Sequence, residues 1–224
     1  MFTNPINKKL NTFLLRFKYF KVYNKMENQI LTNILNKGTG AGGANTNLNG
    51  KNFEAKTSNE PRLLLQGFIK TYMDKKEQKN NFYLEKVFPN GKLVFVQQSG
   101  LKKYMKQYNN LDIFRCPDEA YIWFPLNDET PVLKILEKKE QQTAGSVDTK
   151  LLSGPAFKRE YEMALEGKFK IEYAYCLNEY FNKEFNSDSK KYKILGQILS
   201  ENNIPTLFGD NEEYFGKLDA WIGL

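Results

Sequence analysis

Three charged side chains in the middle of the sequence have the types and spacing for acid–base or metal-assisted chemistry. Residues 132–141 predict a strand whose odd-numbered side chains share one face, and that face ends in Glu137, Lys139 and Gln141 after two aliphatic residues. Asp118 lies at the start of the preceding predicted strand, residues 120–125. Because the start of one strand in a hairpin lies opposite the end of the next, we expect Asp118 to meet Glu137 and Lys139 at the rim of a cleft.

Two neighbouring carboxylates favour a bound cation, because a positive charge between them relieves their mutual repulsion. Oxygen ligands on strands, without His or Cys, suit Mg²⁺, which binds few carboxylates and keeps several waters. Such an ion would activate water and neutralise charge that develops on a phosphodiester, while Lys139 holds the attacking water or offsets that charge. The alternative interpretation is that Glu137 and Lys139 are structural rim charges and that Asp118 is a turn residue.

The absence of certain residue types narrows the possible chemistry. The chain of 224 residues contains no histidine, which excludes Ser-His-Asp and Cys-His nucleophilic sites, HNH-type nucleases and HExxH zinc proteases. Cys116 and Cys176 form no CxxC pair, and we expect two reduced, mostly buried thiols in a cytoplasmic protein. No apolar run is long enough for a transmembrane helix, so no membrane association is expected.

The two segments PDEAYI (residues 117–122) and LKILEKKEQQTAGSVDTKLLSGPAFKREYE (residues 133–162) resemble PD-(D/E)xK nucleases, in particular a group of type II restriction endonucleases. The resemblance covers roughly residues 38–177. It implies that Asp118 and Glu137 are metal ligands and that Lys139 is the catalytic lysine, with Lys138 contributing only its backbone carbonyl. Gln141 fits an ExKxQ variant, in which the amide orients metal-bound water or a phosphate. Glu54 is the candidate for the acidic residue on the first helix of the family core.

The resemblance also implies a function, a cofactor and partners. We expect a Mg²⁺-dependent endonuclease that cuts double-stranded DNA at a short site, in a system that includes a DNA methyltransferase as a separate enzyme. A palindromic target favours a homodimer, because two-fold DNA symmetry is matched by two-fold protein symmetry. The alternatives are a nuclease of the same fold that serves DNA repair or recombination, and a noncatalytic DNA-binding protein.

Two polar segments are the expected DNA contacts. The loop after the catalytic strand and the helix that follows offer hydroxyls, backbone amides and cations to phosphate oxygens. The Gly- and Asn-rich loop at residues 38–50 allows close backbone approach, and its side chains can read base edges. For the helix, the alternative is a solvated face. For the loop at residues 38–50, the alternative is a flexible linker. The expected DNA-binding residues are Asn45, Thr46, Asn47, Asn49, Ser146, Lys150, Ser153, Lys158 and Arg159.

The positive charge is concentrated at the beginning of the chain. Residues 1–25 contain six lysines and arginines and no acidic side chain, so they carry +6 of the net charge of +7. This segment is interpreted as a basic arm that contacts phosphates, a stretch upstream of a start at Met26, or an amphipathic leader. We therefore expect an arm or leader with a short helix over residues 1–37 and a nuclease-like domain over residues 38–224.

The elements that must position the site follow from hydrophobic periodicity. Residues 82–98 alternate around Asn90–Gly91, which predicts a hairpin with positive φ angles at the turn. A long helical pattern over residues 179–199 is expected to break near residue 186, and Asp210 with Glu213 predicts a capping box at the last helix. The order of elements predicts an α/β fold, a restriction-endonuclease-like sandwich with a central mixed sheet flanked by helices.

Overall fold

A single mixed sheet of seven strands forms the centre of the computed structural model, which describes residues 51–74, 81–143 and 145–224. The strands neighbour one another in chain order, antiparallel from β1 to β5 and parallel from β5 to β7. They are β1 (Ile69–Tyr72), β2 (Phe82–Phe88), β3 (Gly91–Val96), β4 (Glu119–Pro125), β5 (Val132–Lys139), β6 (Lys170–Leu177) and β7 (Thr206–Phe208). The predicted α/β class with a central mixed sheet is confirmed.

Helices cover both faces of this sheet. Residues 51–56 form α1. The others are α2 (Glu60–Leu65), α3 (Ser99–Asn109), α4 (Val147–Leu151), α5 (Gly154–Ala164), α6 (Glu179–Phe185), α7 (Lys190–Glu201) and α8 (Tyr214–Ile222). Buried side chains of α3 to α7 pack on what we call the first face, and those of α1, α2 and α8 pack on the second face. The break predicted near residue 186 separates α6 from α7.

The change of strand direction at β5 determines where the helices lie. β4 and β5 are antiparallel and need only the short polar loop 126–131 between them. β5 and β6 are parallel, so the chain must cross over the sheet between them, and it does so through α4 and α5. Leu151 and Tyr161 anchor these two helices in the core of the first face.

The hairpin between β2 and β3 forms where predicted, but its turn differs from the expected one. Phe88 pairs with Gly91, so Pro89 and Asn90 form the two-residue loop. Neither Asn90 nor Gly91 has a positive φ, so the predicted backbone geometry is wrong. The glycine is needed for a different reason: a Cβ on Gly91 would lie 2.5 Å from the Phe124 carbonyl oxygen on β4.

The predicted capping box at the last helix is also wrong. Glu213 is the N-cap residue of α8, and it makes no side-chain capping hydrogen bond. The Asp210 carboxylate instead accepts the Glu179 backbone N–H at 2.6 Å and pairs with Lys56 at 2.8 Å. Asp210 thus satisfies one of the unpaired amides at the start of α6, a need that every helix N-terminus has.

Two further observations concern the length of the helices and the state of the cysteines. No helix among the described residues is long and apolar enough to cross a membrane. Both cysteines are free thiols; Cys176 is buried as expected, whereas Cys116 is exposed, contrary to the expectation. Cys116 lies in the segment 110–117 that connects α3 to β4, outside any helix or strand. The predicted domain boundary at residue 38 lies outside the described residues.

Candidate active site

The hairpin of β4 and β5 brings Asp118, Glu137 and Lys139 together. Glu119 is paired with Leu136, so the next positions outward are Asp118 on one strand and Glu137 on the other. The backbone N–H of Lys138 donates to Asp118 Oδ2 at 2.7 Å. Lys139 Nζ donates to Glu137 Oε1 at 2.7 Å and to the carbonyl of Lys138 at 3.1 Å. Two carboxylates and an ammonium group therefore form one cluster on the first face.

The environment of Glu137 raises its pKa above the usual value of a glutamate side chain. Burial raises the pKa of Glu137, and the charge of Asp118 raises it further, while the Lys139 ammonium lowers it in part. Tyr175, a fully buried aromatic residue, is the register partner of Glu137 on β6. A bound cation would oppose both the burial and the repulsion. The cluster is therefore electrostatically suited to a positive ion.

The oxygen atoms of the cluster form a suitable set of ligands for Mg²⁺. Asp118 and Glu137 offer carboxylate oxygens beside the backbone carbonyl of Lys138, and Mg²⁺ commonly uses one or two carboxylates with water and phosphate oxygens completing the octahedron. Among the described residues no three Asp, Glu, Cys or His side chains are grouped to hold a metal, so the structure does not bring the Glu54 carboxylate to Asp118 and Glu137. Glu54 lies on α1, next to Phe53, which packs on the opposite face of the sheet.

Gln141 is held firmly beyond the end of β5. The Asn178 side chain accepts the Gln141 backbone N–H at 3.3 Å and donates to its carbonyl at 2.9 Å. The Gln141 Oε1 accepts the Val147 backbone N–H at 3.1 Å. The Nε2 group is buried and has no hydrogen-bond partner among the described residues. An unused buried donor of this kind is suited to a water molecule or a phosphate oxygen.

An aromatic layer beneath the cluster was not recognised from the sequence as part of the site. The hydroxyl of Tyr161, on α5, is buried without a hydrogen-bond partner among the described residues. Its pKa is raised by burial first and by the charge of Glu137 second, so the phenol stays protonated. The Tyr175 hydroxyl donates to the carbonyls of Lys150 and Leu151, both at 3.3 Å, and so ties α4 to β6 beside Glu137. The helical period of residues 156–166 predicted that Tyr161 is buried, but it did not predict that Tyr161 lies near Glu137.

Lys138 has a larger role than its backbone carbonyl alone. Its side chain points to the second face, opposite to Glu137 and Lys139, and its Nζ lies 2.8 Å from Glu119 Oε1. Both side chains are almost fully buried. The Glu119 carboxylate also accepts the Asn59 backbone N–H and the Tyr121 hydroxyl. Strand alternation around Asp118 and Glu137 was the available signal, because it assigns their neighbours to the opposite face.

The residues expected to bind DNA are placed mainly on the crossover between β5 and β6. Ser146 and Lys150 are exposed at α4, and Ser153 precedes α5. Lys158 Nζ donates to the Asn202 carbonyl, and Arg159 forms an exposed ion pair with Glu162. The predicted contacts in the Gly- and Asn-rich loop lie outside the described residues: Asn45, Thr46, Asn47 and Asn49.

A groove of about 740 Å³ lies between α5 and the segment that follows α3. Phe114, Met163 and the Arg159 side chain line it together with acidic residues, whereas Asp118, Glu137 and Lys139 do not. Arg159 therefore faces a depression that is separate from the carboxylate cluster.

Comparisons of the chain with family models, with curated proteins and with solved structures find no match. The functional assignment accordingly depends on the residues and geometry described above.

Proposed function

We propose that the protein is a Mg²⁺-dependent, site-specific endonuclease that hydrolyses phosphodiester bonds of double-stranded DNA, with a restriction-endonuclease-like fold. The observation that carries this proposal is the cluster of Asp118, Glu137 and Lys139 at adjacent ends of β4 and β5. The order of antiparallel strands, crossover helices and parallel strands supports it, as does the resemblance of the sequence around these residues to PD-(D/E)xK nucleases.

Each residue of the cluster has a distinct role in this proposal. Asp118 and Glu137 would hold the ion, and the Lys138 backbone N–H fixes one oxygen of the Asp118 carboxylate. Mg²⁺, when bound, supplies a Lewis acid for phosphate oxygens and a more acidic water. Lys139 is kept in place by Glu137 and by the Lys138 carbonyl, from which it can donate to the attacking water or to a phosphate oxygen. In the reaction, a P–O bond to the water oxygen forms and one P–O bond of the DNA backbone breaks.

Gln141 and the crossover helices would align the DNA. The Gln141 Nε2 group, which has no hydrogen-bond partner in the described part of the chain, is suited to orient water or phosphate. Ser146 and Lys150 extend the polar surface along α4. A palindromic site would be cut by a homodimer in the cytoplasm, with a separate DNA methyltransferase protecting the same site in the host DNA. Light scattering of the protein with and without a short duplex containing the site measures this stoichiometry.

The test is cleavage of unmethylated plasmid DNA in Mg²⁺, with EDTA as the negative control. We expect discrete bands from the wild type and a loss of rate of about 100-fold or more in Asp118→Asn and Lys139→Met. Asp128→Asn in the exposed β4–β5 loop removes the same type of charge from the same hairpin and should cut normally.

The other outcomes separate the competing functions. Smears or cuts at branched structures would assign the same fold to DNA repair or recombination. Mg²⁺-independent binding of DNA without cutting would indicate a noncatalytic DNA-binding protein. Full activity in Asp118→Asn or Lys139→Met would show that the cluster is not catalytic.

A further inference from the structure

The buried ion pair of Lys138 and Glu119 has no part in the chemistry proposed above. Lys138 Nζ lies 2.8 Å from Glu119 Oε1, and the two side chains are only 3% and 1% exposed. They lie in the layer of the second face, among residues such as Leu136 and Cys176. The ammonium group also approaches the Glu54 carbonyl at 3.5 Å, so it contacts the α1 segment as well as β4.

Stability alone does not account for such a pair. Removing two charges from water is unfavourable, and apolar side chains of similar size often stabilise a core equally well or better. The hydrogen bonds of Glu119 to the Asn59 N–H at 3.0 Å and from the Tyr121 hydroxyl at 2.6 Å compensate the carboxylate in part. A geometric role therefore explains these two buried charges better than a stabilising role does.

The position of the pair along the hairpin identifies that role. The ladder between β4 and β5 ends at the pair Glu119 and Leu136, so Glu137 and Lys139 lie beyond its last pair, although both still pair with β6 on the other side. Past this last pair, the Lys138 N–H donates to Asp118 and the Lys138 ammonium bonds Glu119, and an Asp118 backbone hydrogen bond to the Glu137 carboxylate adds a third contact. Lys138 therefore supplies two of the contacts that join the end of β5 to the start of β4 beyond the ladder.

Because side chains alternate along a strand, the Lys138–Glu119 pair also affects where the neighbouring side chains lie. Glu137 and Lys139 flank Lys138 in the chain, and Asp118 precedes Glu119. Because neighbouring strand residues point to opposite faces, holding the buried pair on the second face fixes where their neighbours stand on the first. We infer that the Lys138–Glu119 pair is a positioning pair, which sets the separation of Asp118 from Glu137 and Lys139.

The test is the double variant Glu119→Gln/Lys138→Met. It removes both charges and keeps an amide oxygen that can accept the Asn59 N–H. Its kinetic readout rests on the proposed nuclease function. We expect kcat for plasmid cleavage to fall about 10- to 100-fold with KM unchanged, because groups that act on the reacting phosphate are displaced while DNA-contacting residues are untouched.

A matched control lies on the same strand and the same face. Lys134 on β5 pairs with Glu172 on β6 at 3.0 Å, and Lys134→Met/Glu172→Gln removes this pair about 10 Å along β5 from Glu137. Its kcat should equal that of the wild type. Wild-type kcat in the Glu119→Gln/Lys138→Met variant, or an equal loss in the control, would overturn the inference.

Amide hydrogen exchange decides the inference without any enzymatic activity. The Lys138 N–H, which donates to Asp118, should exchange at least tenfold faster in the Glu119→Gln/Lys138→Met variant, measured relative to the Leu136 amide on the same strand. The Lys134→Met/Glu172→Gln control should show the wild-type ratio. An unchanged ratio in the first variant refutes positioning. A wild type that cuts no DNA refutes the nuclease function, and the exchange ratios then still decide the role of the pair.

Discussion

Lys138→Met alone should be one of the most destabilising single substitutions in the described part of the chain. It leaves the Glu119 carboxylate, 1% exposed, without its cation. Breaking one half of a buried pair costs about 3–5 kcal/mol, whereas replacing both halves is near neutral. For a domain of this size each kcal/mol lowers Tm by about 2–4 °C, so we expect a fall of about 6–20 °C.

Urea and thermal denaturation of a double-mutant cycle measure this effect. The cycle comprises the wild type, Lys138→Met, Glu119→Gln and the double variant, and the double variant should be much closer to the wild type than Lys138→Met is. A cost below about 1 kcal/mol at neutral pH, typical of an exposed pair, would refute the assignment of a buried, mutually dependent pair.

Three further outcomes are expected. Gly91→Ala should lower the free energy of unfolding by about 1–3 kcal/mol, because its Cβ would overlap the Phe124 carbonyl; urea denaturation checks this, and a neutral effect would contradict the close approach. Cys116 should react rapidly with a maleimide, while Cys176, whose burial raises its pKa to about 12, should react only on unfolding. Mass spectrometry of the labelled native protein distinguishes the two thiols, and equal labelling would contradict the burial of Cys176. Mg²⁺ should raise the Tm of the wild type but not that of Asp118→Asn, because only the intact pair of Asp118 and Glu137 carboxylates is stabilised by a bound cation. Calorimetry measures both Tm values, and equal shifts would place the ion elsewhere.

Hydrophobic alternation predicted the central hairpins and the meeting of Asp118 with Glu137. A strand period of two assigns each side chain to a face, and antiparallel order then decides which ends are adjacent. The same period assigns Lys138 and Glu119 to one common face between apolar neighbours. A buried lysine requires a partner, so the Lys138–Glu119 pair could have been predicted from the sequence. The resemblance to PD-(D/E)xK nucleases gave Lys138 only a backbone role.

Other features depend on contacts that periodicity does not describe. Asp210 precedes a helix in the chain, but its carboxylate serves α6, because β7 returns the chain to the start of that helix. Gly91 follows an asparagine in a turn, yet a neighbouring strand and not a positive φ requires the glycine. Both cases depend on how elements distant in sequence pack together, which local propensity cannot supply.

The loop at residues 126–131 offers an experimental handle that follows from the antiparallel pairing of β4 and β5. The carboxylate cluster stands at the start of β4 and the end of β5, so the loop lies at the other end of both strands, about 20 Å away at the rise of an extended chain. Residues 126–130 are exposed. A fluorophore or an affinity tag inserted there would report on DNA encounter or immobilise the protein for single-molecule measurements, while the cluster remains unobstructed.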